Sequence, residues 1–457
     1  MTDTVYDMVV LGAGSGGYAA ALRGAQLGLR VALIEADKVG GTCLHRGCVP
    51  TKALLHAAET ADAVRGARAL GVDAELRGVD MAALNAYKDS VVTRMHKGLQ
   101  GLVASRGIDL IAGRGRLAAS DAVEVDGRAV RGRNIVLATG SYSKTLGQRI
   151  DERVLTSEGA LRLERVPASA VVLGGGVIGV EFASAWASLG ARVTIVEALP
   201  RLVPGEDEAV SKQLERAFRK RRIAVRTNTM FESVERHDDG VTVHTQDGKT
   251  HDAEVMLIAV GRGPVTADLG YEQAGVAMDR GFVTTDRLGR TSVPGVWAVG
   301  DIVPGVQLAH RGFAQGIAVA EKVASLDPTP VDDVLVPKVT FCEPEIASVG
   351  LSEAKAAEIH GKDNVTTAEF NVAGNAKSQI LGTQGFVKLV SLKDGPIVGF
   401  HAIGARMGEQ VGEGQLMVSW EADADDVASL VHAHPTQNET LGEAAMALAG
   451  KPLHNHG

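Results

Sequence analysis

The chain has 457 residues, of which 45% are apolar, 22% are charged and 4% are aromatic, and its formal net charge is −8. This composition is typical of a globular protein of about three domains, and negative charge with few aromatics argues against a nucleic-acid-binding surface. Glycines and charges interrupt the apolar runs before the roughly 20 residues that a membrane helix needs. Because three cysteines do not make a secreted disulfide framework and the acidic start MTDTVYD is unlike a signal peptide, we expect a cytoplasmic enzyme.

The first predicted elements belong to an internal repeat. Residues 9–36, VVLGAGSGGYAAALRGAQLGLRVALIEA, align without gaps on residues 171–198, VVLGGGVIGVEFASAWASLGARVTIVEA, with 14 of 28 positions identical. Each copy predicts a buried strand, a glycine turn, an amphipathic helix, a second strand and a closing acid, Glu35 or Glu197. The glycines of each copy follow the pattern G-x-G-x-x-G: Gly12, Gly14 and Gly17 in the first copy, and Gly174, Gly176 and Gly179 in the second.

In such a turn, the first glycine allows a tight bend, the second admits a pyrophosphate against the backbone, and the third lets the helix pack on the strand. The pyrophosphate lies at the helix N-terminus, where free N–H groups favour negative charge, and the acid accepts hydrogen bonds from a ribose. A single motif is often a plain glycine turn, but here strand, helix and acid recur together. The sequence therefore predicts two dinucleotide sites, and Glu197, which suits a free 2′-hydroxyl, favours NAD over NADP at the second.

Two cysteines, Cys43 and Cys48, lie in the segment GGTCLHRGCVPTK that follows the first repeat. Zinc would need about four ligands, and the distant Cys342 is predicted to be a small buried hydrophobe, so we expect no metal site. On a regular helix, residues five apart have Cα atoms roughly 8–9 Å apart, beyond the roughly 7 Å that a disulfide bridges. We expect Gly47 and Pro50 to interrupt the helix, and a disulfide that closes so small a loop to be a redox centre rather than a staple.

Farther along the chain, two apolar segments are predicted to be strands that end in glycine turns. These are RNIVLATGS, residues 133–141, and TSVPGVWAVGDIV, residues 291–303. The second ends at Asp301, whose carboxylate either accepts hydrogen bonds from a polyol chain or is an ordinary turn residue. Its neighbours along the chain decide between these alternatives.

Near the C-terminus, the segment VHAHPTQNE contains His432 and His434. Thiol–disulfide exchange proceeds through thiolates, so a histidine here is a candidate general base for an incoming dithiol. Alternatively, Thr436 and Glu439 form a capping box before an apolar helix, which would make His434 a surface turn residue. The two roles can coexist in part.

The order of these motifs resembles that of the pyridine nucleotide–disulfide oxidoreductases over essentially the whole chain. The resemblance implies an α/β fold with two Rossmann-like dinucleotide-binding domains and a C-terminal α+β dimerisation domain. Residues 1–148, continued by 270–335, would bind FAD, residues 149–269 would bind NAD, and residues 336–457 would form the interface of a homodimer.

The same resemblance assigns the site residues. Cys43 would exchange with substrate, Cys48 would face the flavin, and His434, oriented by Glu439, would be the base that acts on the disulfide of the other subunit. The implied FAD contacts are Gly12, Gly14, Gly17, Glu35, Thr42, Lys52, Gly115, Thr139, Gly140, Asp301 and Ala309. The implied NAD contacts are Gly174, Gly176, Gly179, Glu181, Glu197 and Gly261.

Within the family, the cysteine segment, Glu197 and HAHPTQNE look like those of members that oxidise protein-bound dihydrolipoamide with NAD⁺. Such members serve lipoyl-bearing subunits of 2-oxo-acid dehydrogenase or glycine cleavage complexes. His45 stands where these members usually have asparagine, and it could tune the flavin potential. The alternatives are an NAD(P)H-dependent reductase of glutathione or mycothiol disulfide and, in a different class, a structural subunit that has kept the fold.

Overall fold

The computed structural model describes residues 4–454. The chain folds into two compact units, each built from three stretches of sequence. The first unit comprises the chain up to Leu54, Ala82–Lys144 and Arg262–Asp333. The second comprises Leu55–Met81, Thr145–Gly261 and the chain from Val334 onward.

The first unit is built on a seven-stranded sheet. Its parallel strands are, in spatial order, Asp109–Ala112, Val31–Glu35, Val5–Leu11 and Arg128–Leu137, with Val296–Ala298 beside the last of these. Two antiparallel strands, Ala122–Val125 and Gly115–Ala119, continue it. Two short strand pairs complete the unit: Ser141–Ser143 with Arg262–Pro264, and Met278–Asp279 with Phe282–Val283.

Both faces of this sheet are buried, as expected for parallel strands that are covered by other layers. Along Val5–Leu11, Met8 and Val10 belong to one hydrophobic cluster, whereas Val9 and Leu11 belong to another. The helices of the first unit are Ser15–Gln26, Gly41–Arg46, the first part of Cys48–Gly66, Met81–Ser105 and Ala309–Val323, with a 3₁₀ turn at Gly300–Ile302.

The second repeat copy organises a five-stranded parallel sheet in the second unit. Its strands lie in the order Ala224–Arg226, Arg192–Val196, Ser169–Leu173, Val255–Ile258 and Val154–Leu155. An antiparallel sheet of Phe231–Arg236, Val241–Thr245 and Thr250–Ala253 packs into the same hydrophobic cluster. The helices here are Ser157–Ala160, Val177–Leu189 and Glu208–Lys220, with a 3₁₀ turn at Ala67–Leu70.

The C-terminal part of the second unit is an α+β layer. Its antiparallel sheet has the order Lys338–Thr340, Glu345–Gly350, Ile397–Gly404, Phe386–Leu392 and Val365–Asn371. Its helices are Glu353–His360, Ala376–Leu381, Val411–Ser419, Ala424–Ala428 and Glu439–Leu448. Short 3₁₀ turns lie at Asp333–Leu335, Lys362–Asn364, Val372–Gly374 and Met407–Glu409.

The predicted fold class, two Rossmann-like domains with a C-terminal α+β domain, is confirmed. The exact domain boundaries stay predictions, since the compact units divide after Lys144 and Gly261 rather than at residues 148 and 269. Residues 55–81, placed in the first domain from sequence, group with the second unit, where Asp62 and Arg65 bond to Ser188. Among residues 4–454, no helix has the length and apolar character that a membrane crossing requires.

Candidate functional site

The first glycine of each motif lies in the left-handed backbone region that favours glycine. Gly12 has φ +100° and Gly174 has φ +105°. A Cβ at these positions would lie 2.4 Å from the carbonyl oxygen of Ala138 and 2.5 Å from that of Ala259. Only glycine therefore fits this turn without displacing backbone.

The second and third glycines have opposite surroundings in both copies. A Cβ at Gly14 or Gly176 would meet no atom within 4 Å, whereas one at Gly17 or Gly179 would lie 1.8 or 1.9 Å from a carbonyl oxygen of the same turn. Gly14 and Gly176 also cap the helices that begin with the next residue. Each copy thus offers open space at a helix N-terminus, which fits a dinucleotide pyrophosphate.

The closing acids, Glu35 and Glu197, accept hydrogen bonds from the backbone of the glycine turns. Glu35 accepts hydrogen bonds from the backbone N–H groups of Ala13, at 2.7 Å, and Asp37, at 2.9 Å. Glu197 accepts equivalent bonds from Gly175, at 2.6 Å, and Leu199, at 2.7 Å. Sequence reasoning missed this role, but each carboxylate oxygen has two acceptor sites and can still bind a ribose hydroxyl.

Arg201, the cation nearest to Glu197 in sequence, is engaged within its own loop. Its guanidinium donates to the carbonyl oxygens of Pro204 and Glu206, each at 2.8 Å, and to the hydroxyl of Ser211 at 3.1 Å. It is therefore occupied by neutral acceptors of its own chain, which agrees with a site that does not recognise a 2′-phosphate.

The segment after the first repeat approaches the first glycine turn closely. Gly41 has φ +57°, and a Cβ there would lie 2.7 Å from the Cα of Gly14. The next residue, Thr42, is thus brought next to the predicted pyrophosphate position. One turn of helix beyond Cys48, Lys52 is close enough for its ammonium group to oppose the rise in the pKa of Cys43.

The two cysteines lie on separate helices, as the spacing argument requires. The helix Gly41–Arg46 ends before Gly47, whose backbone is not helical, and the next helix begins at Cys48. Pro50 lies in the first turn of the new helix, where its missing N–H costs no hydrogen bond. In a continuous helix this N–H would have bonded to the carbonyl oxygen of Arg46, so the break at Gly47 agrees with the predicted role of both residues.

The side chains of Cys43 and Cys48 lie next to each other. The neighbouring Cys48 side chain, together with burial, raises the pKa of the Cys43 thiol. Tyr18, on the helix of the first glycine motif, has its pKa raised to about 12 by burial and by Cys43. No pattern in the sequence indicates this neighbour, because helix Ser15–Gln26 and the cysteines meet only in the fold.

Thr139, Gly140 and Asp301, all predicted FAD contacts, take part in hydrogen bonds of the first unit. The Thr139 hydroxyl donates to the carbonyl oxygen of Val265 at 2.6 Å, and the N–H of Val265 donates to the carbonyl oxygen of Gly140 at 2.8 Å. Ser141 donates to the carboxylate of Asp301. The structure thus ties these three predicted contacts to neighbouring segments of the first unit.

Gly115 and Ala309, also predicted FAD contacts, have different surroundings. Gly115 is buried, and a Cβ there would lie 2.6 Å from a methyl group of Leu11. Ala309 is the first residue of the helix Ala309–Val323, where N–H groups of the first turn lack intrahelical partners.

On the predicted NAD side, Glu181 and Gly261 also differ. Glu181 is buried, and its carboxylate accepts a hydrogen bond from the N–H of Phe341 at 3.0 Å. Gly261 has φ +104° and open space on its Cβ side. Glu181 therefore links the nucleotide-binding part of the second unit to its C-terminal part.

His434 and Glu439 form a pair in the second unit. The Nδ1 of His434 lies 2.7 Å from an oxygen of Glu439, and the His434 side chain is 72% exposed. A carboxylate on Nδ1 leaves the lone pair on Nε2, the arrangement that a general base needs. Although burial opposes it, hydrogen bonds from the Thr436 N–H and from His434 lower the pKa of Glu439, so the carboxylate stays ionised.

The alternative capping box does not form. The helix begins at Glu439 with Asn438 as its N-cap, so Thr436 is not the capping residue. The Thr436 hydroxyl instead donates to the carbonyl oxygen of Ala433 at 2.6 Å. Glu439 still accepts a hydrogen bond from the Thr436 N–H at 2.7 Å, so one carboxylate both orders the turn and orients the histidine.

Cys342 and His45 complete the set of residues considered from sequence. Cys342 is buried, as predicted. His45 bonds through Nε2 to the carbonyl oxygen of Val39 at 2.9 Å, and its ring meets that of His96 edge-on at 4.8 Å. Within residues 4–454, no group of three or more His, Cys, Asp and Glu side chains has a geometry that could hold a metal ion.

Two family models match the chain in sequence. "Pyridine nucleotide-disulphide oxidoreductase" matches residues 6–316, and the dimerisation domain of the same family matches residues 336–445. The chain belongs to the pyridine nucleotide-disulphide oxidoreductase family. The predicted membership is confirmed, and the dimerisation domain supports the predicted homodimer.

Relatives and solved structures agree with this membership. The chain is 39% identical to a dihydrolipoyl dehydrogenase of Bacillus subtilis over 98% of this chain and 97% of the relative, and 38% identical to one of Geobacillus stearothermophilus over the same shares. The crystal structure of LpdA from Mycobacterium tuberculosis has a TM-score of 0.90 at 27% identity and covers 96% of this chain and 99% of that one. The HOCl-induced flavoprotein disulfide reductase RclA of Escherichia coli has a TM-score of 0.86 at 26% identity, covering 96% of this chain and 99% of that one.

Proposed function

We propose that this oxidoreductase oxidises protein-bound dihydrolipoamide to lipoamide with NAD⁺. The observation that carries the proposal is the pair Cys43 and Cys48, whose side chains lie next to each other in the same unit as the first glycine turn. A structural subunit would need neither thiol. Full-length similarity to dihydrolipoyl dehydrogenases supports the substrate class.

The chain's own residues perform a disulfide exchange. With Cys43 and Cys48 oxidised to a disulfide, one thiolate of the dithiol attacks the sulfur of Cys43, and Cys48 leaves as a thiolate. The second substrate thiol then displaces Cys43 and releases the substrate as a disulfide. Two substrate sulfurs are oxidised, two enzyme sulfurs are reduced, and two protons leave the substrate thiols.

His434 would accept a proton from the incoming dithiol through Nε2, while Glu439 holds Nδ1. The exposure of the His434 ring, 72%, leaves it accessible to a substrate and to the disulfide of a second subunit. FAD and NAD are the cofactors, and when bound they would supply the acceptors for the electron pair of the reduced thiols. Gly14 and Gly176 would admit their pyrophosphates, and Glu35 and Glu197 their riboses.

The proposed setting is a cytoplasmic homodimer that serves lipoyl-bearing subunits of 2-oxo-acid dehydrogenase or glycine cleavage complexes. The small number of cysteines favours the cytoplasm, and the dimerisation domain supports the homodimer.

The test compares Cys48→Ser and His434→Ala with the wild-type holoenzyme in dihydrolipoamide–NAD⁺ turnover. Cys48→Ser should abolish turnover, because the thiolate that completes the exchange is lost. His434→Ala should keep bound FAD but lose about 10²- to 10⁴-fold in kcat, the range of general-base catalysis. Cys342→Ser is the matched cysteine control and should remain active.

Lipoamide, glutathione disulfide and mycothiol disulfide, compared side by side with NADH, test the substrate class. Lipoamide should be reduced fastest. Dithiol turnover that survives Cys48→Ser would refute the redox assignment, and faster reduction of either low-molecular-weight disulfide would replace the substrate.

A further inference from the structure

The segment that carries His434 is anchored at both ends by one carboxylate. Glu413, on helix Val411–Ser419, bonds through one oxygen to Nε2 of His432 at 2.8 Å and through the other to the side-chain amide of Asn438. His432 lies two residues before His434, and Asn438 lies immediately before Glu439. Glu413 therefore bonds to two side chains that lie on either side of His434 in the sequence, those of His432 and Asn438. Residues 432–439 are named here the His434 segment.

The two histidines of this segment have contrasting environments. The side chain of His432 is 11% exposed, whereas that of His434 is 72% exposed. The ring of His432 lies so close to the helix Glu439–Leu448 that a Cβ on Gly442 would be 2.5 Å from its Nδ1. His432 is therefore a partly buried anchor, and His434 is the ring that remains accessible.

Other contacts hold the middle of the His434 segment. Gln437 accepts a hydrogen bond from Ser378 at 2.6 Å and donates to the carbonyl oxygen of Ala405 at 2.9 Å. The side-chain amide of Asn375 donates to the carbonyl oxygen of Thr436 at 3.0 Å. At the ends, Glu413 adds side-chain bonds to His432 and Asn438, beside the backbone bond from the N–H of Leu441 to the carbonyl oxygen of Asn438.

We propose that Glu413 is a positioning residue for the His434–Glu439 pair, fixing the backbone on both sides of the base through His432 and Asn438. The inference rests on the proposed role of His434. Glu413 has no part in proton transfer, because both its oxygens bond to residues other than His434. Glu413 instead fixes the orientation of the His434 ring and so the position of its Nε2. Misplacement of a catalytic group by about 1 Å costs on the order of 10²-fold in rate.

The test uses two substitutions of different severity in the holoenzyme. Glu413→Ala removes both bonds, and kcat for dihydrolipoamide should fall about 10- to 100-fold. Glu413→Gln keeps an acceptor for Asn438 but presents an NH₂ group to His432, and kcat should fall by roughly three- to tenfold. KM for dihydrolipoamide should stay within about twofold, since Glu413 does not bind substrate. Glu421→Gln, an exposed glutamate beyond the same helix, is the matched control.

A second reaction separates positioning from general damage. Reduction of a one-electron dye by NADH needs neither thiols nor His434, so its rate should be the same in wild type and both Glu413 variants. A dithiol kcat within twofold of wild type in Glu413→Ala overturns the proposal, as does a parallel loss of dye reduction in both variants. His434→Ala, assayed in parallel, isolates the base itself: full dithiol activity there refutes the proposed role of His434 whatever the Glu413 variants do, while dihydrolipoamide oxidation as the function would stand.

Discussion

Alanine substitutions at Gly176 and Gly179, in the second glycine turn, should cause two different defects. A Cβ on Gly176 would meet no atom within 4 Å, whereas a Cβ on Gly179 would lie 1.9 Å from the carbonyl oxygen of Gly174. Gly176 also has φ −77° and ψ −175°, a conformation that alanine adopts without strain. Alanine at the first position should therefore obstruct nucleotide binding, and alanine at the second should destabilise the fold.

The magnitudes follow from these surroundings. In Gly176→Ala, the new methyl group occupies the space for the pyrophosphate, and loss of one charge-assisted hydrogen bond, about 1.5–3 kcal/mol, raises KM for NAD⁺ roughly 10- to 100-fold. In Gly179→Ala, the overlap is with backbone that cannot move aside. Overpacking costs about 3 kcal/mol, which lowers Tm by roughly 3–5 °C, because the entropy of unfolding is about 2.1 cal/mol/K per residue and the chain is long.

Steady-state kinetics and thermal unfolding of the holoenzyme measure both effects. Reduction of the protein by dihydrolipoamide without NAD⁺ is the internal control and should be unchanged in Gly176→Ala. Wild-type KM for NAD⁺ in Gly176→Ala would show that the open space is not the pyrophosphate site. A wild-type Tm in Gly179→Ala would refute the packing argument.

Two further predictions concern charged groups. Glu197→Gln should raise KM for NAD⁺ about tenfold, since the amide loses acceptor capacity toward the ribose. The wild-type enzyme should have a higher kcat/KM with NADH than with NADPH. Equal values would contradict the argument that Glu197 selects a free 2′-hydroxyl. The hydrogen bond to Glu413 raises the pKa of His432, although burial opposes the rise, and the Leu430 carbonyl and the charge of Glu439 contribute to it. The protonated His432 therefore stabilises the folded protein. This contribution is full below the unfolded pKa of about 6.5 and is lost as the pH rises through the folded pKa. Urea unfolding should therefore show a larger gap between wild type and Glu413→Gln at pH 6 than at pH 9, and a gap that widens with pH would contradict it.

The repeat and its glycines could be predicted from sequence because their geometry is local. A turn at Gly12 or Gly174 requires positive φ within a few residues of the strand that it ends, so the residue types themselves report the structure. The same holds for the pair His434 and Glu439, five residues apart. The break between the cysteines was also predicted, from Gly47 and Pro50.

Contacts between distant segments could not be predicted. Tyr18 lies near Cys43, and Glu413 bonds to His432, which lies 19 positions later in the chain. Neither pairing leaves a pattern of spacing in the sequence, because helix packing rather than helix periodicity brings the side chains together. The wrong capping box has a related cause: T-x-x-E fits a helix that starts at Thr436, and bonding to Ala433 delays the start to Glu439.

The two repeat copies agree down to single hydrogen bonds, so their different roles must arise beyond the repeat. Glu35 and Glu197 each accept a hydrogen bond from the backbone N–H 22 residues earlier, at Ala13 and Gly175. After Glu35, the chain returns to the glycine turn through Gly41 and continues into the cysteine helices. After Glu197, the loop is held by bonds within itself, since Arg201 donates to the carbonyl oxygens of Pro204 and Glu206. The repeated scaffold thus provides two nucleotide sites. We infer that the segment after Glu35 brings the cysteine pair to the first site, and that the segment after Glu197 leaves the second site suited to a nucleotide without a 2′-phosphate.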